Sequence, residues 1–312
     1  MCRALLYLGQ PVLLDNLLYQ PDSALVRQST MPRMLNLLNL AGFGLRAWDP
    51  SSHEAEHPYA YASHALPVFD RNLKGLARKI RATCVLAHVR GVAYSTEVEI
   101  SLQNVHPFQF PRVPLTLAHN GDLARFRELK PLLAARVKPE LAAHVSGTTD
   151  SEWIYALLLS QLADPYVKPD GDELLAAIAR TFAILRELRG ELGIAVSSPV
   201  NLFITDGEQL AAVRYCFDFG CYPTDDPATL QEQSLSYQTL NYQSLWYTAG
   251  REYGLHDGEW RMTGGSEHSD SILVASEPLT RDIGAWVELP EYCVLQATIR
   301  DGHPALRMRE LA

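Results

Sequence analysis

Two patterns of apolar positions recur along the chain: short continuous runs and longer stretches with helical spacing. The short runs are typical of buried β-strands and cover residues 2–9, 37–49, 83–90, 113–119, 270–279 and 291–302. The run 37–49 contains Gly42 and Gly44, which predict a bulge or a close backbone approach. The segment 200–215 places two apolar runs around Asp-Gly and predicts a β-hairpin.

Helices are predicted where apolar residues repeat every three to four positions. The strongest patterns span residues 151–162 and 172–193, and a shorter helix is predicted over 12–19. Asp70 can cap another helix, whose apolar positions are Leu73, Leu76, Ala77 and Ile80. Strands and helices do not alternate strictly, which predicts an α+β fold or a layered sandwich.

Prolines and polar residues interrupt these patterns in three places. A helix predicted from about Leu123 is expected to break at Pro131 and Pro139. Residues 49–64 are polar and predict a loop. Residues 216–262 are rich in Tyr and Gln, and we predict an elaboration of one domain that spans residues 1–312.

The loop contains a metal-binding pattern, His53-Glu54-Ala55-Glu56-His57. Zinc peptidases need both histidines of such a pattern on one face of a helix. Pro58 follows directly and disfavours a helical conformation at His57, so a solvated loop is the favoured interpretation and a zinc peptidase the alternative.

Composition and charge exclude several function classes. The chain has 27 Lys and Arg against 36 Asp and Glu, and its net charge of −9 without a basic stripe argues against nucleic acid and anionic membrane as partners. No apolar run is long enough to span a bilayer, and a cytoplasmic protein is predicted. The five cysteines are odd in number and scattered, which argues against a disulfide framework. Neither a metal nor a cofactor is predicted.

Cys2 directly follows the initiator methionine. A buried apolar role in the first strand is the simpler interpretation. The alternative is that removal of Met1 leaves a free α-amine on the residue that carries the thiol. The α-amine has a pKa of about 8 and the thiol about 8.5, so one residue would supply both a base and a nucleophile.

Four short segments could support chemistry at Cys2, although each has a structural explanation when it is taken alone. Arg90, in AHVRG, carries a planar guanidinium suited to a carboxylate. His106 lies in NVHPF, while Asn120 and Gly121 in AHNGD could donate to an oxyanion. In GTTDSEW, Thr149 and Glu152 predict a capping box, which leaves Asp150 free to accept from an ammonium group.

The order of these segments resembles the class II glutamine amidotransferases, whose nucleophile is an N-terminal cysteine. Further segments resemble the branch of stand-alone γ-glutamyl hydrolases that act in glutathione breakdown and ergothioneine synthesis: MCRALLYLG, VRQS, NLAGFG, LPVFDRNLKGLA and SLWYTAG. The resemblance implies a four-layer αββα sandwich of two antiparallel sheets flanked by helices. It also implies a small substrate, either glutamine or a γ-glutamyl compound.

The resemblance implies a role for each matching residue. Cys2 corresponds to the nucleophile, and its amine to the base. Asn120 and Gly121 correspond to the oxyanion hole. Arg90 corresponds to the residue that binds the α-carboxylate, and Asp150 to the acceptor for the α-ammonium. Position 106 corresponds to a pocket histidine.

Two alternatives stay open within the same fold. One is a glutaminase subunit that delivers ammonia to a separate synthase, and the other is a catalytically silent binding protein. The sequence also leaves open a homo-oligomer.

Overall fold

A computed structural model of the chain describes residues 2–34, 38–92, 99–219, 221, 244–264, 269–300 and 303–311. Within these ranges no helix combines the length and the apolar character that crossing a membrane requires. The strands are β1 (Arg3–Leu13), β2 (Phe43–Trp48), β3 (Tyr59–Ser63), β4 (Arg81–Val89), β5 (Thr116–Gly121), β6 (Ser198–Thr205), β7 (Gln209–Arg214), β8 (Cys216–Phe217), β9 (Trp246–Gly250), β10 (Glu252–His256), β11 (Glu259–Thr263), β12 (Ser271–Ala275), β13 (Val287–Glu288), β14 (Cys293–Arg300) and β15 (His303–Glu310). The α-helices are α1 (Leu14–Leu18), α2 (Leu25–Gln28), α3 (Arg71–Ala77), α4 (Phe126–Ala134), α5 (Pro139–Ala142), α6 (Asp150–Ser160) and α7 (Gly171–Glu191).

The strands form two large sheets and one small one. The first large sheet has the order β13-β9-β12-β1-β4-β2-β3. The second has the order β15-β14-β7-β6-β5, with β8 also paired to β6, while β10 and β11 form a separate pair. Neighbouring strands in both large sheets run antiparallel.

The two large sheets pack face to face, and the helices cover their outer faces. Along β1, Leu6 joins the core between the sheets, while Leu5 packs outward with the apolar residues of α1, α2 and α3. Along β6, Phe203 points between the sheets, while Leu202 packs outward with α4, α6 and α7. Successive side chains of a strand point to opposite faces, so each sheet contributes to two cores. The predicted four-layer α+β sandwich is therefore confirmed.

Several predicted elements are confirmed with small changes in their ends. The runs at 83–90 and 113–119 form β4 and β5, and 200–215 forms the β6–β7 hairpin. The helix predicted after Asp70 is α3, and the Asp70 carboxylate accepts from the backbone N–H groups of Asn72 and Leu73. That cap satisfies two donors that the first turn of a helix leaves unpaired.

Two local predictions are wrong. The loop predicted over 49–64 ends in β3, because residues 59–63 pair with β2 at the edge of the first sheet although the sequence around them is polar. Pro131 does not break its helix but lies inside α4, which begins only five residues earlier, at Phe126.

The structure describes all of the His-Glu-Ala-Glu-His segment but only part of the Tyr- and Gln-rich segment. Residues 53–57 form exposed turns rather than a helix, as the loop interpretation predicts. Only part of the Tyr- and Gln-rich segment can be described, because residues 220 and 222–243 lie outside the described residues. Its described part contributes β8 to β11.

Candidate active site

The pairing of β1 with β4 brings the start of the chain next to Arg90. Arg3 pairs with Val89 in the antiparallel register, so the residues that flank this pair, Cys2 and Arg90, lie at the same end of the sheet. The Cys2 sulfur lies 3.5 Å from the backbone nitrogen of Gly91 and 3.6 Å from its carbonyl oxygen. Met1 lies outside the described residues, and its removal stays a prediction.

The second sheet contributes the end of β5, which carries Asn120 and Gly121. The Ser276 hydroxyl joins the two sheets, because its oxygen accepts from the Ala4 backbone N–H at 3.0 Å and from the Asn120 side-chain amide at 3.1 Å. Asn120 is buried, and its amide retains a second N–H. The predicted oxyanion-hole residues therefore lie across the sheet interface from the strand that carries Cys2.

The backbone conformation at position 121 and the atoms around it both require a glycine. Its φ is +151°, and an added Cβ would lie 1.8 Å from the Pro199 carbonyl oxygen. A side chain at this position would have to displace the neighbouring strand β6. The absence of a side chain leaves the backbone at the end of β5 open to the pocket.

Arg90 is a buried cation beside the cysteine. Its guanidinium donates to the Glu99 carbonyl oxygen at 3.0 Å. Burial lowers the pKa of Arg90, whereas Coulombic interactions with Cys2, Asp150 and Glu99 act in the opposite direction. A guanidinium stays protonated under such conditions, so the site contains a fixed positive charge.

Asp150 is held at the start of α6 by two donors. One carboxylate oxygen accepts from the Leu123 backbone N–H at 2.7 Å, and the other from the Ser151 hydroxyl at 3.1 Å. The N-terminus of a helix also favours a negative charge. Thr149 caps this helix as predicted, but the Glu152 carboxylate accepts from other backbone groups, so the predicted capping box is only half formed.

Five of the six predicted site residues line one pocket of about 750 Å³: Cys2, Arg90, His106, Gly121 and Asp150. The Asn120 side chain lies next to this pocket and is turned towards Ser276. A volume of this size suits a small-molecule ligand. Among the described residues, no group of three or more His, Cys, Asp and Glu side chains is placed to hold a metal ion.

Two buried histidines, His106 and His119, line the pocket, and a third, His88, packs against His106. The His106 ring lies 4.2 Å from the His88 ring, and the His88 Nε2 atom lies 3.2 Å from the His119 carbonyl oxygen. Sequence reasoning assigned no role to His119, although it directly precedes Asn120. Its Nδ1 atom lies 2.8 Å from the Ser151 hydroxyl, which donates to Asp150.

These histidines should make the protein less stable in acid. Burial lowers the pKa of all three below 6.5, and that of His88 to about 3. The unfolded chain then binds protons that the folded protein does not, so their contribution to stability is complete above pH 6.5 and is lost as the pH falls towards 3. Each can contribute a slope of up to about 1.4 kcal/mol per pH unit.

Urea unfolding at a series of pH values between 7 and 4 tests this expectation. The free energy of unfolding should fall with decreasing pH, and the fall should be shallower in a His88→Asn variant. His53→Asn, at an exposed position, is the matched control. Equal slopes in the wild-type protein and the His88 variant would contradict the assignment.

A buried ion pair holds Arg3, the residue next to Cys2, and sequence reasoning did not find it. Arg3 and Glu277 are both almost fully buried, and their charged groups lie 3.4 Å apart. The Arg3 guanidinium also donates to the Cys2 carbonyl oxygen at 3.0 Å. The sequence contains one signal for this pair, because Arg3 and Glu277 are charged residues within apolar segments that resemble strands. It does not show that the two segments are neighbours.

Comparisons with known proteins agree with this fold. The chain is similar to the solved structure of a glutamine aminotransferase class-II domain protein from Silicibacter pomeroyi, with a TM-score of 0.59, 20% identity and full coverage of both chains. It is also similar to glutamine phosphoribosylpyrophosphate amidotransferase from B. subtilis, with a TM-score of 0.58 and 16% identity, over 100% of this chain and 49% of the other. The chain thus shares its sandwich fold with these two solved structures.

Sequence comparisons identify the family within this fold. The family model for class-II glutamine amidotransferases matches residues 53–221. The "Probable glutamine amidotransferase DUG3" of Saccharomyces cerevisiae is 30% identical over 95% of this chain and 81% of its own length. The chain therefore belongs to the class-II glutamine amidotransferases, a family of enzymes.

A second relative is the gamma-glutamyl-hercynylcysteine sulfoxide hydrolase of Mycobacterium tuberculosis. It is 32% identical over 127 residues, which are 40% of this chain and 51% of the relative. The predicted resemblance to a family with γ-glutamyl hydrolases among its members is confirmed.

Proposed function

We propose that the protein hydrolyses the γ-amide bond of glutamine or of a γ-glutamyl compound through a thioester on Cys2. The observation that carries this proposal is the shared pocket, which contains a thiol, a buried guanidinium, a carboxylate and the glycine at the end of β5. These groups match the chemistry of a γ-glutamyl substrate, which has two charged groups at one end and an amide at the other. The name of the M. tuberculosis relative supports the same substrate class.

In this proposal, Arg90 and Asp150 bind the charged end of the substrate. The guanidinium pairs with the α-carboxylate, and the Asp150 carboxylate accepts from the α-ammonium. Both side chains are anchored by hydrogen bonds to the protein, so little order has to be created on binding. Orientation of this kind can lower the barrier by up to about 7–11 kcal/mol. His106, which burial keeps neutral by lowering its pKa, contacts the bound substrate from the pocket floor.

The chemical steps follow from an N-terminal cysteine. After removal of Met1, the Cys2 α-amine takes the thiol proton, and the sulfur attacks the amide carbon. The Asn120 amide and the Gly121 N–H stabilise the oxyanion, and one such donor accounts for about 10²–10³ in rate. The C–N bond then breaks as the Cys2 ammonium returns a proton to the leaving nitrogen. Water adds to the thioester, which releases the γ-carboxylate and restores the thiol.

A release assay across glutamine, glutathione and other γ-glutamyl amides tests the proposal. Intact mass spectrometry on the same sample should show a chain that begins at Cys2. For each molecule of substrate that is cleaved, we expect one molecule of glutamate and one molecule of the free amine, which is ammonia when the substrate is glutamine. Absence of turnover with every substrate, in protein that begins at Cys2, would contradict the proposal and favour the silent binding protein. Turnover of glutamine alone, increased by an added synthase, would instead favour the ammonia-delivering subunit.

A further inference from the structure

Asn104 has a buried side-chain amide and no role in the proposed reaction. It contacts Glu99, which accepts a hydrogen bond from Arg90, and Thr148, which lies two residues before Asp150. It ends a short 3₁₀ turn, Leu102–Asn104, and its side chain is fully buried. Its Oδ1 atom accepts from the Thr148 backbone N–H at 2.8 Å. Its Nδ2 atom donates to the Thr148 hydroxyl at 2.9 Å and to the Glu99 carbonyl oxygen at 3.2 Å. Three of the four hydrogen bonds that an asparagine amide can make are thus formed.

The contact with Glu99 leads to the guanidinium. The Glu99 carbonyl oxygen that accepts from Asn104 also accepts from Arg90 at 3.0 Å. A carbonyl oxygen has two lone pairs, so it can accept both donors at once. The position of this oxygen, and with it the direction of the guanidinium, therefore depends on the Asn104 amide.

The contact with Thr148 leads to the carboxylate. Thr148 is followed by Thr149, which caps α6, and by Asp150, the first residue of that helix. The Asn104 amide forms one hydrogen bond with the backbone of Thr148 and one with its side chain. Two bonds to the same residue fix the orientation of the turn as well as its distance from Asn104. Asp150 is therefore presented to the pocket by a turn that is anchored on Asn104.

The turn is packed tightly on both sides. The Glu152 carboxylate accepts from the Ser146 and Gly147 backbone N–H groups at 3.0 and 2.7 Å. An added Cβ on Gly147 would lie 2.4 Å from the Asn104 Oδ1 atom and 3.0 Å from the Glu152 carboxylate. The turn thus lies between two buried side chains and has little room to shift while both are present.

We propose that Asn104 is a positioning residue that sets the spacing between Arg90 and Asp150. This inference rests on the proposed function, in which those two residues bind the α-carboxylate and the α-ammonium of one substrate. Both substrate groups are attached to the same carbon atom, so the distance between their two partners has to match a fixed length. Loss of Asn104 keeps both charges but removes the link that fixes their separation. Displacements of about 1 Å in such a site can reduce rates by about 10²-fold.

Two thiol reagents separate this role from a merely structural one. Iodoacetamide alkylates an accessible thiol without a head group, whereas 6-diazo-5-oxo-L-norleucine carries the α-carboxylate and α-ammonium of glutamine. In Asn104→Ala we expect inactivation by the norleucine reagent to slow by about tenfold or more, with the rate of Cys2 alkylation by iodoacetamide unchanged. KM for the γ-glutamyl substrate should rise more than kcat falls.

Asn104→Asp is the second variant, because it keeps the acceptor for the Thr148 N–H, loses the two donated hydrogen bonds and places a carboxylate beside the Glu99 carbonyl oxygen. Gln209→Ala is the matched control, since it removes another buried amide, which donates to the Pro169 carbonyl oxygen and to Asp206 at the other end of β6. The control should react with both reagents at the wild-type rates.

Each outcome is decisive. Equal slowing with both reagents in both Asn104 variants would show a general structural role and overturn the inference, and so would wild-type rates with both. If wild-type protein that begins at Cys2 does not react with the norleucine reagent, the proposed function fails, and the inference fails with it. Those failures differ, because only the last is seen without any substitution.

Discussion

Replacing Cys2 with alanine is expected to abolish amide hydrolysis and to leave the fold intact. Alanine cannot form the thioester, and loss of a covalent nucleophile reduces turnover by at least about a thousandfold in comparable sites. The side chain contributes little to stability, because its described hydrogen bonds are two long sulfur contacts with the Gly91 backbone. Alanine is also small enough for Met1 to be removed, so the variant tests the thiol alone.

The measurement is product release at saturating substrate, with the thermal unfolding midpoint recorded in parallel. Cys221→Ala is the matched control, because Cys221 is an exposed free cysteine and should be dispensable. A chain with an uncleavable N-terminal extension should be as inactive as Cys2→Ala, since its Cys2 nitrogen is an amide and cannot take the thiol proton. Turnover by folded Cys2→Ala at a tenth of the wild-type rate or more would refute the mechanism.

Replacing Glu277 with alanine is expected to lower the free energy of unfolding by about 3–5 kcal/mol. Arg3 would then be buried without a counter-charge. The cost is large because desolvation already lowers the pKa of Arg3, and Glu277 is the largest influence that opposes it. The Glu277 carboxylate also accepts from the Arg33 and Met34 backbone N–H groups, each at 3.1 Å. The variant would lose these bonds as well.

Urea unfolding at pH 7 measures this effect. Glu187→Ala is the matched control, because it removes the carboxylate of the Arg136–Glu187 pair, in which both side chains are substantially exposed. Such pairs contribute at most about 1 kcal/mol. Glu277→Gln keeps the shape and one acceptor and should fall between the two. A loss for Glu277→Ala no greater than that for Glu187→Ala would disprove the importance of the buried pair.

The local elements of this fold could be predicted because the signals for them are local. Asp70 and the apolar positions that follow it lie within one helix, and cap and periodicity indicate the same structure. Strand β3 could not be predicted in the same way. Its five residues are held by pairing with β2, and their polar surroundings suggest a loop. Tertiary pairing decides such short edge strands, and sequence propensity does not.

The site could be predicted only through the resemblance to a family. The patterns around Arg90, Asn120 and Asp150 each have an ordinary structural explanation, and nothing local indicates that they lie together. The contacts that unite them span long stretches of sequence. Asn120 and Ser276, for example, are 156 residues apart. The family order supplied the candidate residues, whereas the contacts of Asn104, His119 and Glu277 became visible only in three dimensions.

Strand β1 pairs on one side with β4 and on the other with β12, and Leu5 lies opposite Ala275. During synthesis this first strand can pair early with β4, but its second partner, β12, is complete only when residue 275 has left the ribosome. In the finished protein Cys2 is only 8% exposed. The sheet around the amino terminus is thus complete only after most of the polypeptide has been made, when β12 pairs with β1 and Ser276 accepts from the Ala4 backbone N–H.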